Sequence, residues 1–419
     1  MTFADALAAL EARQEARVEL GLDRVSAHLA RLGDPQEKVP AFHVAGTNGK
    51  GSTCAILASV LRAAGYRTGL YISPHLSSVR ERISVDGAPI GEKDFSRLLV
   101  RALAADPIKR LTYFELLTSV AFQHFAASGC QVMVLETGMG GRLDATNVIS
   151  SPLAAAVTSI DFDHQSFLGR TLARIAAEKA GIFKRDCPAL CGRLPRAAVG
   201  VLRRAAPRLI EVRRPWKTVS VDWARGRQVL RSPEGRLHTL SLLGSRQGAN
   251  AALARAMVDA SGLSVSEGAW LKGLARVKWP ARFQALRFGS KTLVIDGAHN
   301  PEAARALAET WKASPWAARP ARWILGMLKD KDIAGFLRPL APHLREVVMV
   351  RPPSPRALEP VELSRLVRRA APKARLIVER DPATALSSWR RASRAPAVAV
   401  CVGSLYLAGA ALKTSRRWS

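Results

Sequence analysis

Cysteine is scarce in this chain: five in 419 residues, odd in number and scattered at Cys54, Cys130, Cys187, Cys191 and Cys401. That count excludes the disulfide framework of a small secreted domain. Only Cys187 and Cys191 stand close together, and no second Cys or His pair follows at zinc-site spacing, so a metal or redox role for them is set aside. Long apolar runs are also missing. No stretch of eighteen apolar residues occurs, which excludes a membrane-spanning helix and leaves no membrane partner to expect. The opening residues, Met1-Thr-Phe-Ala-Asp-Ala6, lack the basic, then apolar, then small-residue order of a signal peptide, and a cytoplasmic protein is expected.

Acidic residues are outnumbered, 34 against 63 Lys and Arg, for a net charge of +29. Such a balance invites a nucleic-acid reading. Against it, the cations are mostly Arg and spread through residues 193–236, 276–287, 365–369 and 390–417. Aromatic residues are 6% of the chain and do not interleave with them as stacking platforms, so no nucleic-acid partner is expected. The basic surface is read instead as one that steers anionic substrates inward.

The remaining composition, 48% hydrophobic and 23% charged, is that of a globular enzyme, and the length suits two domains. Residues 2–32 read as helical, with apolar stripes at Phe3, Ala6, Leu7 and Leu10 and at Leu22, Val25, Leu29 and Leu32. Strands are expected at 41–45, 68–72, 131–135, 153–160 and 189–191, separated by helices near 52–64, 114–127 and 171–180. This alternation indicates a parallel sheet with chemistry at the strands' C-terminal ends. Residues 195–240 suggest a small β extension, and from Thr292 a second strand–helix series begins, with strands at 293–295, 323–325, 347–350, 376–378 and 398–401. The fold class expected is α/β: a P-loop-type, mostly parallel sheet with flanking helices and a small β extension in residues 1–285, and a smaller Rossmann-like domain in residues 286–419.

The most telling stretch is Phe42-His-Val-Ala-Gly-Thr-Asn-Gly-Lys-Gly-Ser-Thr53, a buried strand that runs into a glycine-broken loop and then a helix. Backbone amides, helix dipole and the Lys50 ammonium would converge there on a polyphosphate. The spacing departs from a strict G-x-x-x-x-G-K-[ST] loop, because position 44 is Val and Gly51 separates Lys50 from Ser52. Glu136 leaves an apolar strand straight into a glycine-rich turn, placed like a ligand of a hard cation or else as the cap of a local turn; Asp144 and Asn147 beyond it read equally as turn formers. Asp161, Asp163 and His164 make another polar strand end, where His164 is either a ligand or a hydrogen-bonded structural residue. Lys179, at a helix C-terminus, needs no function on spacing alone. Asp296, His299 and Asn300 follow a strand and precede Pro301, and so form either a site or a helix-capping turn.

Taken together, the chain resembles the folylpolyglutamate synthase/dihydrofolate synthase family of Mur-type ATP-dependent amide ligases, from about Leu20 onward. The resemblance is carried by Gly46–Ser52, Ser73-Pro-His-Leu76, Glu81-Arg-Ile83, Thr112-Tyr-Phe-Glu115, Glu136–Asn147, Asp163-His164, Glu178–Phe183, Pro280-Ala-Arg-Phe283, Asp296–Pro301 and Gly326–Asp332. It implies ATP phosphates on Thr47, Asn48, Gly49, Lys50, Gly51 and Ser52, with nucleotide contacts from Asn250, Arg282 and Asp296. Mg²⁺, as two ions, would involve Ser73, Glu136 and His164, and Lys179 matches the lysine that the family carries as a carbamate. The pterin-aminobenzoate part would meet Arg17, Val18, Glu19 and Leu20, then Thr112, Tyr113, Phe114 and Glu115, then Leu143, Asp144 and Ala145. His299 and Arg282 would contact phosphate or glutamate, making Lys50, Lys179 and His299 the catalytic set. Substrates implied are dihydropteroate, reduced folates and L-glutamate, in a monomer. Two departures are visible: Ala281 stands where the family writes Pro-Gly-Arg, tolerable unless the backbone needs φ > 0, and Arg246-Gln247 replaces His-Gln. The competing readings are a Mur-type ligase for cell-wall precursors, opposed by Gly51 and Thr112–Glu115, and a nucleic-acid-binding P-loop NTPase.

Overall fold

The computed structural model describes residues 1–13 and 19–418. Two compact units emerge: Met1–Trp216 with Ser232–Glu234 and Gly248–Val277, and Lys217–Arg231 with Gly235–Gln247 and Lys278–Ser419.

The first unit is built on eight strands: β1 (Ala41–Ala45), β2 (Thr68–Tyr71), β3 (Ile83–Val85), β4 (Ala88–Pro89), β5 (Val132–Glu136), β6 (Ala154–Val157), β7 (Ala189–Cys191) and β8 (Ile210–Glu211). Their spatial order is β4-β3-β2-β5-β1-β6-β7-β8. All neighbours are parallel except β3, which runs antiparallel to β2 and to β4. β1, β5 and β6 are buried along their whole length, as a sheet covered on both faces requires. One face packs on helices Phe3–Glu11, Asp23–Arg31, Glu92–Ala104 and Tyr113–Ala127 through Leu10, Leu29, Phe95, Leu117 and Phe122; the other packs on Leu172–Ala180 and Arg196–Ala205 through Ile175, Ala176 and Leu202. Because β1 lies between β5 and β6, the strand order reverses beside it. The turns after β1, β2, β5 and β6 therefore meet at one edge, where an open parallel sheet binds ligands.

The expected helical stretch at 2–32 is two helices, Phe3–Glu11 and Asp23–Arg31, and residues 14–18 lie outside the described residues. The helix expected from Ser52 begins at Lys50, directly after Gly49. β6 ends at Val157, short of the Ile160 expected, because Thr158 and Ser159 leave the ladder to bond the loop after β1.

The small β extension is an antiparallel sheet of β9 (Lys217–Asp222), β10 (Arg227–Arg231) and β11 (Leu237–Leu240). It groups with the second unit: Val221 packs on that unit's core, and the Trp223 ring lies 5.8 Å from both Phe283 and Trp316. The second unit's main sheet has the order β12-β13-β17-β14-β15-β16, from β12 (Gln284–Phe288), β13 (Lys291–Ile295), β14 (Ala321–Leu325), β15 (Glu346–Met349), β16 (Arg375–Val378) and β17 (Val398–Val402). It is parallel except at β12, which runs antiparallel to β13. That pairing, with Gly297 N–H donating to Ala281 O at 2.9 Å, ties residues 281–288 to the second unit, so the units divide at Val277 rather than at 285.

Candidate active site

The loop from Gly46 to Gly49 is held from below by the end of β6. Thr47 N–H donates to Ser159 O at 2.9 Å, Asn48 N–H to Ser159 Oγ at 2.9 Å, and the Thr158 hydroxyl to Asn48 O at 2.6 Å. Thr47 Oγ1 donates to Asp161 O and accepts from Asp161 N–H, both at 3.1 Å. Glycine is compulsory in this cradle. A Cβ on Gly46 would fall 1.9 Å from Thr158 Oγ1, and one on Gly49, at φ +87°, would fall 2.6 Å from Asn250 Oδ1. The amides of Lys50, Gly51 and Ser52 open a helix with no acceptor inside it, the arrangement that receives an anion. Lys50 Nζ curls over the rim, donating to Gly46 O at 3.0 Å and Thr47 O at 3.3 Å. The loop residues Thr47–Ser52 and Asn250 are thus brought together.

Beside the loop, Ser73 N–H donates to Glu136 Oε2 at 3.3 Å, so these two expected metal ligands are adjacent. The Ser73 turn is shaped by Glu81, whose carboxylate accepts the amides of Leu76, Ser77 and Ser78 at 2.8, 3.2 and 3.1 Å. His164 sits in left-handed backbone (φ 49°) with its Nε2 3.9 Å from Asp163 Oδ1. Among the described residues no three His, Cys, Asp or Glu side chains cluster as a metal site by themselves. Oxygens from Ser73 and Glu136 are nonetheless the hard donors that Mg²⁺ takes when water and phosphate complete its shell.

Lys179, in the last turn of the helix Leu172–Ala180, is buried at 3% exposure. Burial first and then repulsion from Lys50 lower its pKa to about 7, against the pull of Asp163 and Asp144. Asp144 is a turn former and more: Oδ2 accepts Met139 N–H at 2.9 Å, while Oδ1 accepts Thr146 N–H at 3.0 Å and the Thr146 hydroxyl at 2.6 Å. Burial raises its pKa, and those hydrogen bonds oppose the rise. Asn147 donates to Arg142 O and Gly181 O, both at 3.0 Å, bracing the Leu143–Ala145 turn against the helix that carries Lys179.

Of the expected pterin segments, Arg17 and Val18 lie outside the described residues. Glu19 lines a cavity of about 480 Å³ with Arg13, Arg24, Lys109, Arg110 and Thr112, and Leu20 is exposed. Thr112 and Glu115 form a capping box for the helix Tyr113–Ala127, and Glu115 also pairs with Arg24 at 3.1 Å. Their polar atoms are therefore engaged in structure, and the segment offers chiefly the Tyr113 and Phe114 rings. Phe114 lies over Gly138, where a Cβ would come 2.6 Å from its ring, and packs with Ala145 in one cluster.

In the second unit, Asp296 accepts Phe283 N–H at 2.7 Å and Ala298 N–H at 2.8 Å; burial raises its pKa and the Arg282 charge lowers it. Asn300 is the helix cap of Pro301–Ala313, and His299 Nδ1 lies 2.8 Å from Gly297 O. Arg282, Asp296 and the His299 turn are gathered at one strand end. Ala281 there has φ 58°, the left-handed region in which glycine is at ease. Sequence reasoning missed Thr158 and Ser159 as the clasp of the phosphate loop. Their hydroxyls next to the strand were the available signal.

Two α/β units, one with a clasped glycine-rich loop between a buried strand and a helix, have the architecture of a Mur-type ligase. Residues 44–189 match the Mur ligase middle domain and residues 281–405 the Mur ligase glutamate ligase domain. The chain is 41% identical over 335 residues to the dihydrofolate synthase/folylpolyglutamate synthase of Escherichia coli, covering 79% of this chain and 77% of that protein. It is 35% identical to the Bacillus subtilis protein of the same name, covering 81% of this chain and 82% of that one. Among solved structures, E. coli FolC in complex with DHPP and ADP superposes with a TM-score of 0.87 at 35% identity, over 100% of this chain and 99% of that one. A bifunctional folylpolyglutamate synthase/dihydrofolate synthase with Mn, AMPPNP and L-glutamate bound gives 0.84 at 33% identity, over 99% and 98% of the two chains. The chain belongs to the dihydrofolate synthase/folylpolyglutamate synthase family.

The strain at Ala281 generates a prediction. Ala281→Gly is expected to be neutral to stabilising, by up to about 1 kcal/mol, because relief of the left-handed backbone offsets the lost methyl and the added chain entropy. Ala281→Val is expected to destabilise by roughly 1–3 kcal/mol, since that backbone disfavours a branched residue still more. Thermal unfolding of both variants checks the order; a glycine variant less stable than the valine one would contradict the assigned backbone.

Proposed function

We propose that this enzyme joins L-glutamate to 7,8-dihydropteroate and adds further glutamates to reduced folates, using ATP and releasing ADP and phosphate. The observation that carries the reading is the clasped phosphate loop with Lys50 on its rim and the Ser73–Glu136 pair beside it. Membership of the family supplies the substrates.

A carboxylate resists amide formation because its oxygen is a poor leaving group. Transfer of the ATP γ-phosphoryl group to a carboxylate oxygen gives an acyl phosphate, and attack by the glutamate α-amine then expels phosphate. The amides of residues 49–52 and the Lys50 ammonium face the phosphates, and Lys50 exchanges its two carbonyl partners for phosphate oxygens as charge is transferred. Asn250 packs against Gly49 as a nucleotide contact, and Arg282 and Asp296 are assigned the same role. Ser73, Glu136 and His164 would hold Mg²⁺, which when bound neutralises the phosphate oxygens. His299 is assigned to phosphate or glutamate, without a proton-transfer role.

Lys179 is assigned as the carbamate. Only a neutral amine adds CO₂, forming the N–C bond and releasing one proton, and a pKa of about 7 leaves much of the amine neutral at physiological pH. The anionic carbamate would offer an oxygen to a second ion. The chain is expected to act as a monomer.

The decisive assay is phosphate release from ATP with L-glutamate plus either dihydropteroate or a reduced folate monoglutamate. Turnover is expected with both, and Lys50→Ala is expected to lower kcat by at least about 10³-fold with the fold intact. Turnover with the folate alone would remove the synthase half; turnover with neither would overturn the reading. For Lys179, ¹³C NMR after exchange with labelled bicarbonate is expected to show a carbamate resonance that grows as pH rises through about 7, because the lowered pKa puts deprotonation there. Absence of that resonance at pH 8, or its persistence in Lys179→Met, contradicts the assignment.

A further inference from the structure

The Glu81-Arg-Ile83 motif contains a cation without a counter-charge among the described residues. Arg82 is 8% exposed, more deeply buried than the arginines that hold carboxylates: Arg13 pairs with Asp106, Arg24 with Glu115 and Arg322 with Glu346. Among the described residues no acidic side chain pairs with Arg82. Its acidic neighbour in sequence, Glu81, is occupied by three amides of the Ser73 turn. Nε donates to His75 Nδ1 at 2.9 Å, and the guanidinium lies 5.4 Å from the centre of the Tyr113 ring. These contacts aim the group and leave its two terminal nitrogens without an acceptor among the described residues. A buried guanidinium is a poor arrangement unless an anion completes it.

The position says which anion. Arg82 O accepts Ile72 N–H at 3.0 Å, immediately before Ser73, and His75 belongs to the same turn as Ser73, whose amide meets Glu136. Tyr113 begins the helix assigned to the pterin-aminobenzoate group, and Phe114 packs 5.8 Å from the Tyr71 ring on the adjoining strand. Arg82 therefore stands between the phosphate-transfer end of the site and the aromatic segment. An acceptor substrate with its aromatic part on Tyr113 and Phe114 and its carboxylate directed to the phosphate would bring that carboxylate past the guanidinium fork.

We propose that Arg82 binds the carboxylate of the acceptor substrate, orienting it for phosphoryl transfer. The planar fork matches a carboxylate through two parallel N–H···O bonds. His75 and Tyr113 fix the plane of the fork from the side and the face. The inference rests on the function proposed above, because it needs a carboxylate acceptor in this pocket.

The test compares two ligands on the whole enzyme saturated with a non-hydrolysable ATP analogue: dihydropteroate, and the same pterin-aniline lacking the carboxylate. Arg82→Gln is expected to weaken dihydropteroate binding roughly 10- to 100-fold while leaving the decarboxylated ligand within about twofold of the parent. Arg82→Lys, which keeps the charge and loses the fork, is expected to recover part of the loss, and ADP affinity is expected to stay unchanged in both. Equal weakening of both ligands, as a merely structural residue would give, overturns the proposal, as does no weakening of either. Loss of ADP affinity instead would place the guanidinium on the nucleotide and overturn it too. If the parent enzyme binds neither ligand, the proposed function falls and this inference with it; if the parent binds both, only the Arg82 assignment is at stake.

Discussion

The site depends on one clasp: the Thr158 and Ser159 hydroxyls and the Ser159 carbonyl grip the backbone of residues 47–48. A phosphate loop is a row of amides whose carbonyls must be satisfied elsewhere, or the loop collapses on itself. Here β6 stops at Val157 so that the following residues can supply those partners. The clasp brings Thr158 so near that position 46 accepts no side chain, and Asn250 closes position 49 in the same way. A loop pinned in this manner would meet phosphates with little rearrangement, which is where fixed dipoles gain their effect on charge transfer.

Around the clasp, buried polar groups are tuned by a few neighbours. His43 on β1 is wholly buried and its pKa is lowered to about 3, by burial first and then by Lys184, so it is neutral. The Thr146 hydroxyl donates to Asp144 at 2.6 Å and must accept from His43 Nε2–H at 2.8 Å, which fixes the tautomer. The chain His43–Thr146–Asp144 thus braces the Leu143–Ala145 turn from inside the sheet. Lys179 is held at the same place with a depressed pKa by burial and by Lys50. Cation and carboxylate titrate in opposite directions there because burial disfavours the charged form of each.

Much of the frame was legible because apolar runs of strand length between helical repeats leave few alternatives. β7 falls at the residues expected, and β1 spans residues 41–45 as read. The antiparallel strand β3 and the edge strand β4 beside it were not legible: three and two residues long, they carry no period to count. The loop residues 46–52 and Glu136 were visible as glycine-flanked chemistry after apolar runs, and Ser73 beside Glu136 came from the family pattern. The burial of Lys179 was not legible, because a helix-end lysine looks the same in sequence whether it is solvated or enclosed. The left-handed backbone at Ala281 was posed only as a condition, since an alanine gives no sign of φ. Arg82 stood in the family pattern at Glu81-Arg-Ile83, but its isolation from acidic side chains among the described residues is a property of packing that the sequence does not display.

The clasped loop is proposed to serve phosphoryl transfer to a carboxylate oxygen. The most direct measurement is the fate of ¹⁸O from a dihydropteroate labelled in its carboxylate, followed through one turnover with ATP and L-glutamate. One ¹⁸O is expected in the released inorganic phosphate, because the oxygen that accepts the γ-phosphoryl group leaves with it. Phosphate free of label, or label appearing in AMP, would contradict it.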